Sequence, residues 1–326
     1  MLEQNILTAK DMPDSSHWIL AFYYFAPIEN PAREVKTHKA FFTDRQVTCR
    51  IYISEEGING QMSATKEDAK SYIEWMLQRP EFSNIKFKIH PFHEQVFPRI
   101  TVKYRKQLVA IDTQYDLSNH GEHVSPERWK TMLETEADKI LIDVRNDYEW
   151  KLGRFAGAEL PPCETFREFT EYADSLKEKA DPQTTPVMMY CTGGIRCELY
   201  SAILKDKGFE KIYQLDGGVI GYGLEQGNEH WDGKLFVFDD RMAIPISDKG
   251  ESKVIGTCHF CKAPNETYYN CANLNCNELF LCCPDCLKEH KGCCCKDCTT
   301  SDRLRPFHQD TAHKPFKRWY HYEGKA

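Results

Sequence analysis

The chain has 326 residues, 42 Lys+Arg against 49 Asp+Glu for a formal charge of −7, and 41% hydrophobic content. At about 100 to 200 residues per domain, that length excludes a single small core and suggests two domains with room for a third small module. The longest apolar run, Ile19 to Ala26, falls well short of the ~20 residues a membrane-spanning helix needs, so no membrane partner is expected.

Met1-Leu2-Glu3-Gln4 has neither a basic region nor an apolar stretch, so no secretory signal is expected and the cytoplasm is the default location. Thiols stay reduced there. Of the 15 cysteines, Cys49, Cys163, Cys191 and Cys197 are scattered, and the remaining 11 fall between Cys258 and Cys298. Such a cluster predicts metal binding rather than disulfides.

In chain order, Ile19 to Phe25 reads as a strand, Pro31 to Phe42 as a helix and Val47 to Ile53 as an alternating strand. A turn is expected over Glu55 to Gly60, where Gly57, Asn59 and Gly60 tolerate left-handed backbone. A short strand at Gln61 to Ser63, a helix from Lys66 to Gln78 and a strand at Ile85 to Ile89 follow. The order β-α-β-β-α-β predicts a ferredoxin-like, acylphosphatase-like domain over residues 1–117.

A polar break at Ser118 to Glu122 precedes a helix capped by Ser125 with Pro126 in its first turn. Strands at Ile140 to Val144, Val187 to Tyr190 and Ile212 to Leu215 alternate with helices at Phe166 to Lys179 and Cys197 to Lys207. Short apolar strands between helices predict a parallel α/β domain, residues 118–250, covered on both faces. Residues 251–326 form a cysteine-rich module with a basic, aromatic tail.

The strongest chemical signal is Tyr190-Cys191-Thr192-Gly193-Gly194-Ile195-Arg196-Cys197-Glu198, directly after an apolar strand and opening into a helix. Amides of Thr192, Gly193, Gly194 and Ile195 at a helix N-terminus stabilise negative charge, and Arg196 adds a full positive one. Both lower a thiol's pKa and favour the thiolate nucleophile at Cys191. Cys-x4-Arg is one residue shorter than the loop that wraps a phosphate in cysteine phosphatases, which suits a persulfide or another small group. Cys197 could resolve an oxidised Cys191, but its place in the first helical turn favours simple burial, and Cys49 and Cys163 receive structural readings.

The loop resembles that of rhodanese domains, and further segments agree: Asp143-Val144-Arg145 followed by Glu149, Gly153 to Ala158, and Leu215-Asp216-Gly217-Gly218-Val219. Arg154-Phe155 stands where that family usually has histidine and an aliphatic residue. The resemblance implies that Asp143 and Arg145 brace the loop. With Tyr23-Tyr24-Phe25, Glu56-Gly57-Ile58-Asn59-Gly60 and Val102-Lys103-Tyr104-Arg105-Lys106 in front and a cysteine-rich end behind, the whole chain resembles the oxygen-dependent tRNA uridine hydroxylase family. That resemblance implies hydroxylation of the wobble uridine at C5 to 5-hydroxyuridine, molecular oxygen as co-substrate, tRNA as partner and Cys191 as the catalytic cysteine. Two rival readings stand beside it: a sulfurtransferase carrying a persulfide on Cys191, and a non-catalytic RNA- or protein-binding adaptor.

No G-x-G-x-x-G fingerprint for flavin or nicotinamide is present, and no two-histidine, one-carboxylate spacing for iron; His90 and His93 read as surface residues. Between Ile85 and Lys106, six basic residues (Lys86, Lys88, Arg99, Lys103, Arg105, Lys106) face one acid, Glu94, and predict an RNA-binding strip. Arg303, Arg305, Lys314, Lys317 and Arg318, among Phe307, Phe316, Trp319 and Tyr320, give a tail whose aromatics are expected to pack, a second RNA contact being the alternative. In the cysteine cluster, the pairs Cys258/Cys261, Cys271/Cys276, Cys283/Cys286 and Cys295/Cys298 fit two four-thiolate structural zinc sites, with Cys282, Cys293 and Cys294 as extra or alternative thiols; an iron–sulfur cluster and a redox-active thiol store are the alternatives.

Overall fold

The computed structural model describes residues 5–8, 14–109, 116, 118–161 and 168–306. Cys163, Phe166 and the tail residues Phe307, Lys314, Phe316, Lys317, Arg318, Trp319 and Tyr320 lie outside the described residues. Two units divide the chain: Met1–Asn146 with Gly157–Glu229, and Asp147–Ala156 with His230–Ala326.

In the first unit, β1 (Ile6–Leu7), β2 (His17–Phe25), α1 (Pro31–Phe41), β3 (Val47–Ser54), β4 (Gly57–Thr65), α2 (Lys66–Leu77), β5 (Lys86–Phe92) and β6 (Ile100–Tyr104) follow in order. They form one sheet, β1-β5-β2-β4-β3-β6. Its inner four strands are antiparallel neighbours and carry the expected ferredoxin-like order. The edge strands β1 and β6 pair parallel to β5 and β3. Neither edge strand was legible in the sequence, because β1 has two residues and β6 buries only Val102.

Alternation separates the faces. Leu20 and Phe22 of β2, Ile51 and Ile53 of β3, and Phe87 and Ile89 of β5 share one core with Ala69, Tyr72, Ile73 and Met76 of α2. Tyr23 on β2, and Lys86 and Lys88 on β5, fall on the opposite phase. Helix α1 is held to this core by buried His38, whose ring lies 3.1 Å from the Tyr72 hydroxyl and 2.8 Å from Glu34, while Arg79 grips both Glu34 oxygens at 2.6 and 2.7 Å.

Burial raises the Glu34 pKa, but the bonds and charges of His38 and Arg79 outweigh it and hold the carboxyl at about 2. A carboxyl with a depressed folded-state pKa stabilises the fold above its unfolded value, and that contribution is lost as pH falls through the folded one. Acid titration monitored by circular dichroism should therefore show wild-type stability declining from about pH 4 towards 2, with a weaker decline in Glu34→Gln.

The turn expected over Glu55 to Gly60 contracts to Glu55-Glu56, and the short strand at Gln61 to Ser63 is part of the longer β4. Pairing on both sides extends the strand: Gly57 opposes Phe25 and Ser54, and Gly60 opposes Phe22 and Ile51. Only Gly57 takes positive φ, at 147°, and a Cβ there would stand 2.1 Å from the Tyr24 carbonyl oxygen. At Gly60 the constraint is space, since a Cβ would meet the Phe22 ring at 2.5 Å.

The chain continues through β7 (Glu122–Val124), α3 (Pro126–Thr135) and β8 (Ile140–Asp143). As expected, the Ser125 side chain caps α3, accepting from the Arg128 N–H at 3.3 Å. Helix α4 (Asp147–Trp150) and β9 (Gly153–Phe155) belong to the second unit. The first unit resumes with α5 (Phe169–Leu176), β10 (Val187–Tyr190), α6 (Ile195–Asp206), β11 (Ile212–Leu215) and α7 (Gly218–Gln226). The four strands are all parallel, in the order β7-β11-β10-β8. Every residue of β10 is buried, as an inner parallel strand requires.

In the second unit β9 pairs with β12 (Trp231–Gly233), β13 (Leu235–Phe236) with β14 (Ala243–Ile244), and β15 (Tyr268–Asn270) with β16 (Leu279–Leu281), ahead of α8 (Pro284–Glu289). Leu152, Phe236, Met242, Tyr268 and Leu281 form its apolar cluster, and the Tyr268 hydroxyl donates to the Tyr148 carbonyl at 2.6 Å. Residues 230–250, read from sequence with the α/β domain, lie in this unit. Among the described residues no helix is long and apolar enough to cross a membrane.

Candidate active site and metal centres

Cys191 leaves the C-terminal end of β10, an inner strand, where open parallel sheets gather their ligand-binding loops. Gly194 at φ 107° turns the chain into α6, and its N–H donates to the Cys191 sulfur at 3.0 Å. A second glycine turn seats this loop. Gly217 and Gly218 both have positive φ, and a Cβ at Gly218 would lie 2.7 Å from the carbonyl oxygens of Cys191 and Thr192. The N–H groups of Val219 and Ile220 donate to those carbonyls at 3.0 and 3.1 Å.

Burial alone would push the Cys191 thiol up. It is overcome by a bond from the Cys197 thiol, the charge of Arg196 and the backbone N–H groups of Arg196 and Gly194, which bring the group down to about 5. A shift in that direction favours the thiolate form of the sulfur. Cys197 moves the opposite way, raised by burial and by donating to Cys191, so it is a buried thiol donor to the Cys191 sulfur. Buried Arg196 also bonds the Thr192 hydroxyl at 3.2 Å.

Asp143 and Arg145 form a fully buried bidentate pair at 2.8 and 2.6 Å, and the Tyr190 hydroxyl donates to Asp143 at 2.8 Å. The pair thus grips the residue immediately before Cys191.

The sequence did not reveal that the front sheet meets this loop. Tyr23 lies so close that a Cβ on Gly194 would stand 2.8 Å from its hydroxyl, which donates to Glu198 at 2.9 Å. Lys88 is buried and donates to the Gly193 carbonyl at 2.8 Å, while Lys86 pairs with Asp216 at 2.8 Å. The available signal was the i, i+2 spacing of the two lysines, which puts both on the sheet face away from the helices.

The basic strip is therefore not one surface. Strand β5 lies four strand spacings from β6, roughly 19 Å at ~4.8 Å each. Lys86 and Lys88 turn to the loop, whereas Arg99, Lys103, Arg105 and Lys106 are exposed at the β6 edge, where Arg105 stacks 4.9 Å from the Tyr52 ring. Nearness along the chain had suggested nearness in space, but the 93–99 segment crosses the sheet between the two strands.

A two-histidine, one-carboxylate group absent from sequence spacing does form in space: donor atoms of His120, His123 and Glu198 lie within 4.8 Å of one another. The Gln214 amide nitrogen stands among them, 3.3, 3.2 and 3.2 Å from His120, His123 and Glu198. His123 and Glu198 also pair at 3.3 Å. His93 is exposed beside Glu94, as read from sequence.

Two four-cysteine groups form in the second unit: Cys258, Cys261, Cys283 and Cys286, and Cys271, Cys276, Cys294 and Cys298. The bonded sulfur pairs are 3.7 Å apart in the first group and 3.6 and 3.9 Å in the second. A single ion with metal–sulfur bonds of about 2.3 Å sets tetrahedral sulfurs about 3.8 Å apart, whereas a disulfide needs about 2.05 Å. The donor sets therefore fit one metal ion each. Cys294 takes the place the spacing gave to Cys295, which is exposed. The chain enters a 3-10 turn at Asp297–Thr300, and Cys294 with Cys298 at i, i+4 then reach the same point. Cys282 and Cys293 are buried outside the groups, and Arg303 reaches the Asn275 side chain at 2.9 Å.

An acylphosphatase-like front domain joined to a rhodanese domain with an intact loop cysteine defines the class. Family models described as "UPF0176 acylphosphatase like domain", "Rhodanese-like domain" and "Rhodanase C-terminal" match residues 17–108, 125–224 and 232–299. The chain belongs to the tRNA uridine(34) hydroxylase family. It is 58% identical over 309 residues to the protein of that name from Protochlamydia amoebophila (strain UWE25), covering 95% of this chain and 96% of the relative. The corresponding protein of Chlamydia muridarum (strain MoPn / Nigg) is 55% identical over 94% of this chain and 93% of its own length. That of Chlamydia abortus (strain DSM 27085 / S26/3) is 54% identical over 94% of each.

Proposed function

We propose that this protein is a cytoplasmic enzyme that hydroxylates the wobble uridine of tRNA at C5, giving 5-hydroxyuridine, with molecular oxygen as oxidant and Cys191 as the reacting group. The observation that carries this reading is the Cys191 sulfur, lowered to about 5 and held at the end of an inner strand in a chain akin to tRNA uridine(34) hydroxylases along almost its whole length. Arg196 offsets negative charge on the sulfur or its modified form. The amides from Thr192 to Ile195 line the anion cradle, and Asp143 with Arg145 fixes the strand end that presents the thiolate. Mass analysis of tRNA nucleosides with and without the protein tests the reading. An added oxygen on uridine is expected, while an added sulfur or no change would replace it with a sulfurtransferase or an adaptor.

Phosphate contacts are assigned to Arg99, Lys103, Arg105 and Lys106. Lys88 leaves the proposed RNA surface because it is buried on the Gly193 carbonyl, and Lys86 because its charge is paired with Asp216 before the second glycine turn. Charge reversal at Lys103 and Arg105 together should lower tRNA affinity by at least about tenfold and flatten the log–log salt slope by about 2. Filter binding across a salt series reads both, and an unchanged slope would place the RNA elsewhere.

We assign zinc to both cysteine groups, in a structural role. With four thiolates at each ion no ligand position remains for water.

A further inference from the structure

We propose that Lys88, supplied by the front sheet, is a positioning residue for the Cys191 sulfur and acts through the Gly193–Gly194 peptide. The inference extends the reading of Cys191 as the reacting group. Its test uses no tRNA chemistry, so the two can fail separately.

One peptide plane links Lys88 to the sulfur. In a trans peptide the carbonyl and the next N–H point to opposite sides. The Lys88 ammonium donates to the Gly193 oxygen at 2.8 Å on one side, and the Gly194 N–H donates to the Cys191 sulfur at 3.0 Å on the other. Holding the oxygen therefore aims the N–H. Polarisation along the chain, from ammonium to carbonyl to N–H to sulfur, strengthens the last bond.

Two consecutive glycines give this peptide wide conformational freedom, and nothing lies within 4 Å of where a Gly193 Cβ would stand. The bonds from Val219 and Ile220 hold the Cys191 and Thr192 carbonyls, and Lys88 holds the next one, that of Gly193. Tyr23 closes the other flank over Gly194, and its ring lies 5.1 Å from the Lys88 nitrogen.

A neutral donor could hold a carbonyl without the cost of burying a charge. Lys88 keeps its ammonium beside Asp216, the Cys191 sulfur and Glu198, whose charges favour the cation, against Lys86, whose charge disfavours it. A cation at this point serves an anion, and the nearby anion with chemistry to perform is the thiolate.

The groups facing the sulfur are Arg196 and Cys197 from α6, Tyr23 from β2 and Lys88 from β5. Burial brings Lys88 down to about 8 despite those neighbouring charges, so it stays protonated while the thiol titrates. Alkylation of the full chain by iodoacetamide across pH 4 to 8, with the Cys191 peptide quantified by mass spectrometry, measures the thiol midpoint. The midpoint is the readout, because a loosened loop changes access equally at every pH.

Lys88→Met should raise the midpoint by about one unit, which is about tenfold less alkylation well below it. Lys88→Gln keeps a neutral donor and should fall between Met and wild type; it carries the test if Lys88→Met does not fold. An unchanged midpoint in a folded Lys88→Met or Lys88→Gln protein, with only thermal stability reduced, would overturn the proposal and leave Lys88 a structural bridge.

Discussion

Cys191→Ser is expected to lose tRNA modification by on the order of a thousandfold or more while the protein remains folded. Serine keeps the shape of the side chain and can accept from the Gly194 N–H that now bonds the sulfur. It cannot supply an anion near neutral pH, because a hydroxyl lacks the acidity that Cys197, Arg196 and the loop amides draw out of the thiol. Cys197→Ser should cost about tenfold or less, since a hydroxyl at that position still donates to the thiolate. Nucleoside mass analysis after incubation with each variant, with circular dichroism as the folding check, reads both effects. Full activity in Cys191→Ser would remove the thiolate from the mechanism.

Metal removal should have the largest effect on structure. Purified protein is expected to carry about two zinc ions per chain, and each four-thiolate site contributes on the order of 10 kcal/mol to the fold around it. The two sites are interlaced: Cys271 and Cys276 lie between the two halves of the first group, and Cys283 and Cys286 between the two halves of the second. Opening one site frees a loop that the other depends on, so a chelator should release both ions in one step and unfold residues 258–298. The parallel sheet that carries Cys191 has its own apolar core, from Ile142 and Met189 to Phe169 and Tyr200, and should persist. Elemental analysis with hydrogen exchange checks the stoichiometry and the boundary. Iron with visible absorption, or a protein without metal whose cysteines alkylate freely, would contradict the zinc assignment.

Much of this was legible in the sequence because the signals are local. Period-2 alternation gave β3, an aromatic and aliphatic run gave β2, and short apolar runs gave β10 and β11 to the residue. The loop was legible because strand end, glycine pair, arginine and helix start coincide within nine residues, Tyr190 to Glu198. What depends on tertiary pairing was not. Gly57 and Gly60 read as turn residues, but partners on both sides draw them into β4. Lys86 and Lys88 read as phosphate contacts, but their sheet face meets the loop, and two buried or paired lysines look identical in sequence to two free ones. Tyr23 gave no chemical signal, because only the fold brings it to Gly194. The choice of Cys294 over Cys295 turns on the phase of a single 3-10 turn, finer than Cys-x2-Cys spacing resolves.

Oxygen from dioxygen is expected to reach the wobble uridine through Cys191. Incubating tRNA that carries an unmodified wobble uridine with the purified protein under heavy-isotope dioxygen, then weighing the nucleosides, tests it most directly. The wild-type protein should give 5-hydroxyuridine bearing one labelled oxygen, and Cys191→Ser should leave uridine unmodified. A sulfur-bearing nucleoside, a hydroxylated product without label, or label incorporated equally by Cys191→Ser would contradict it.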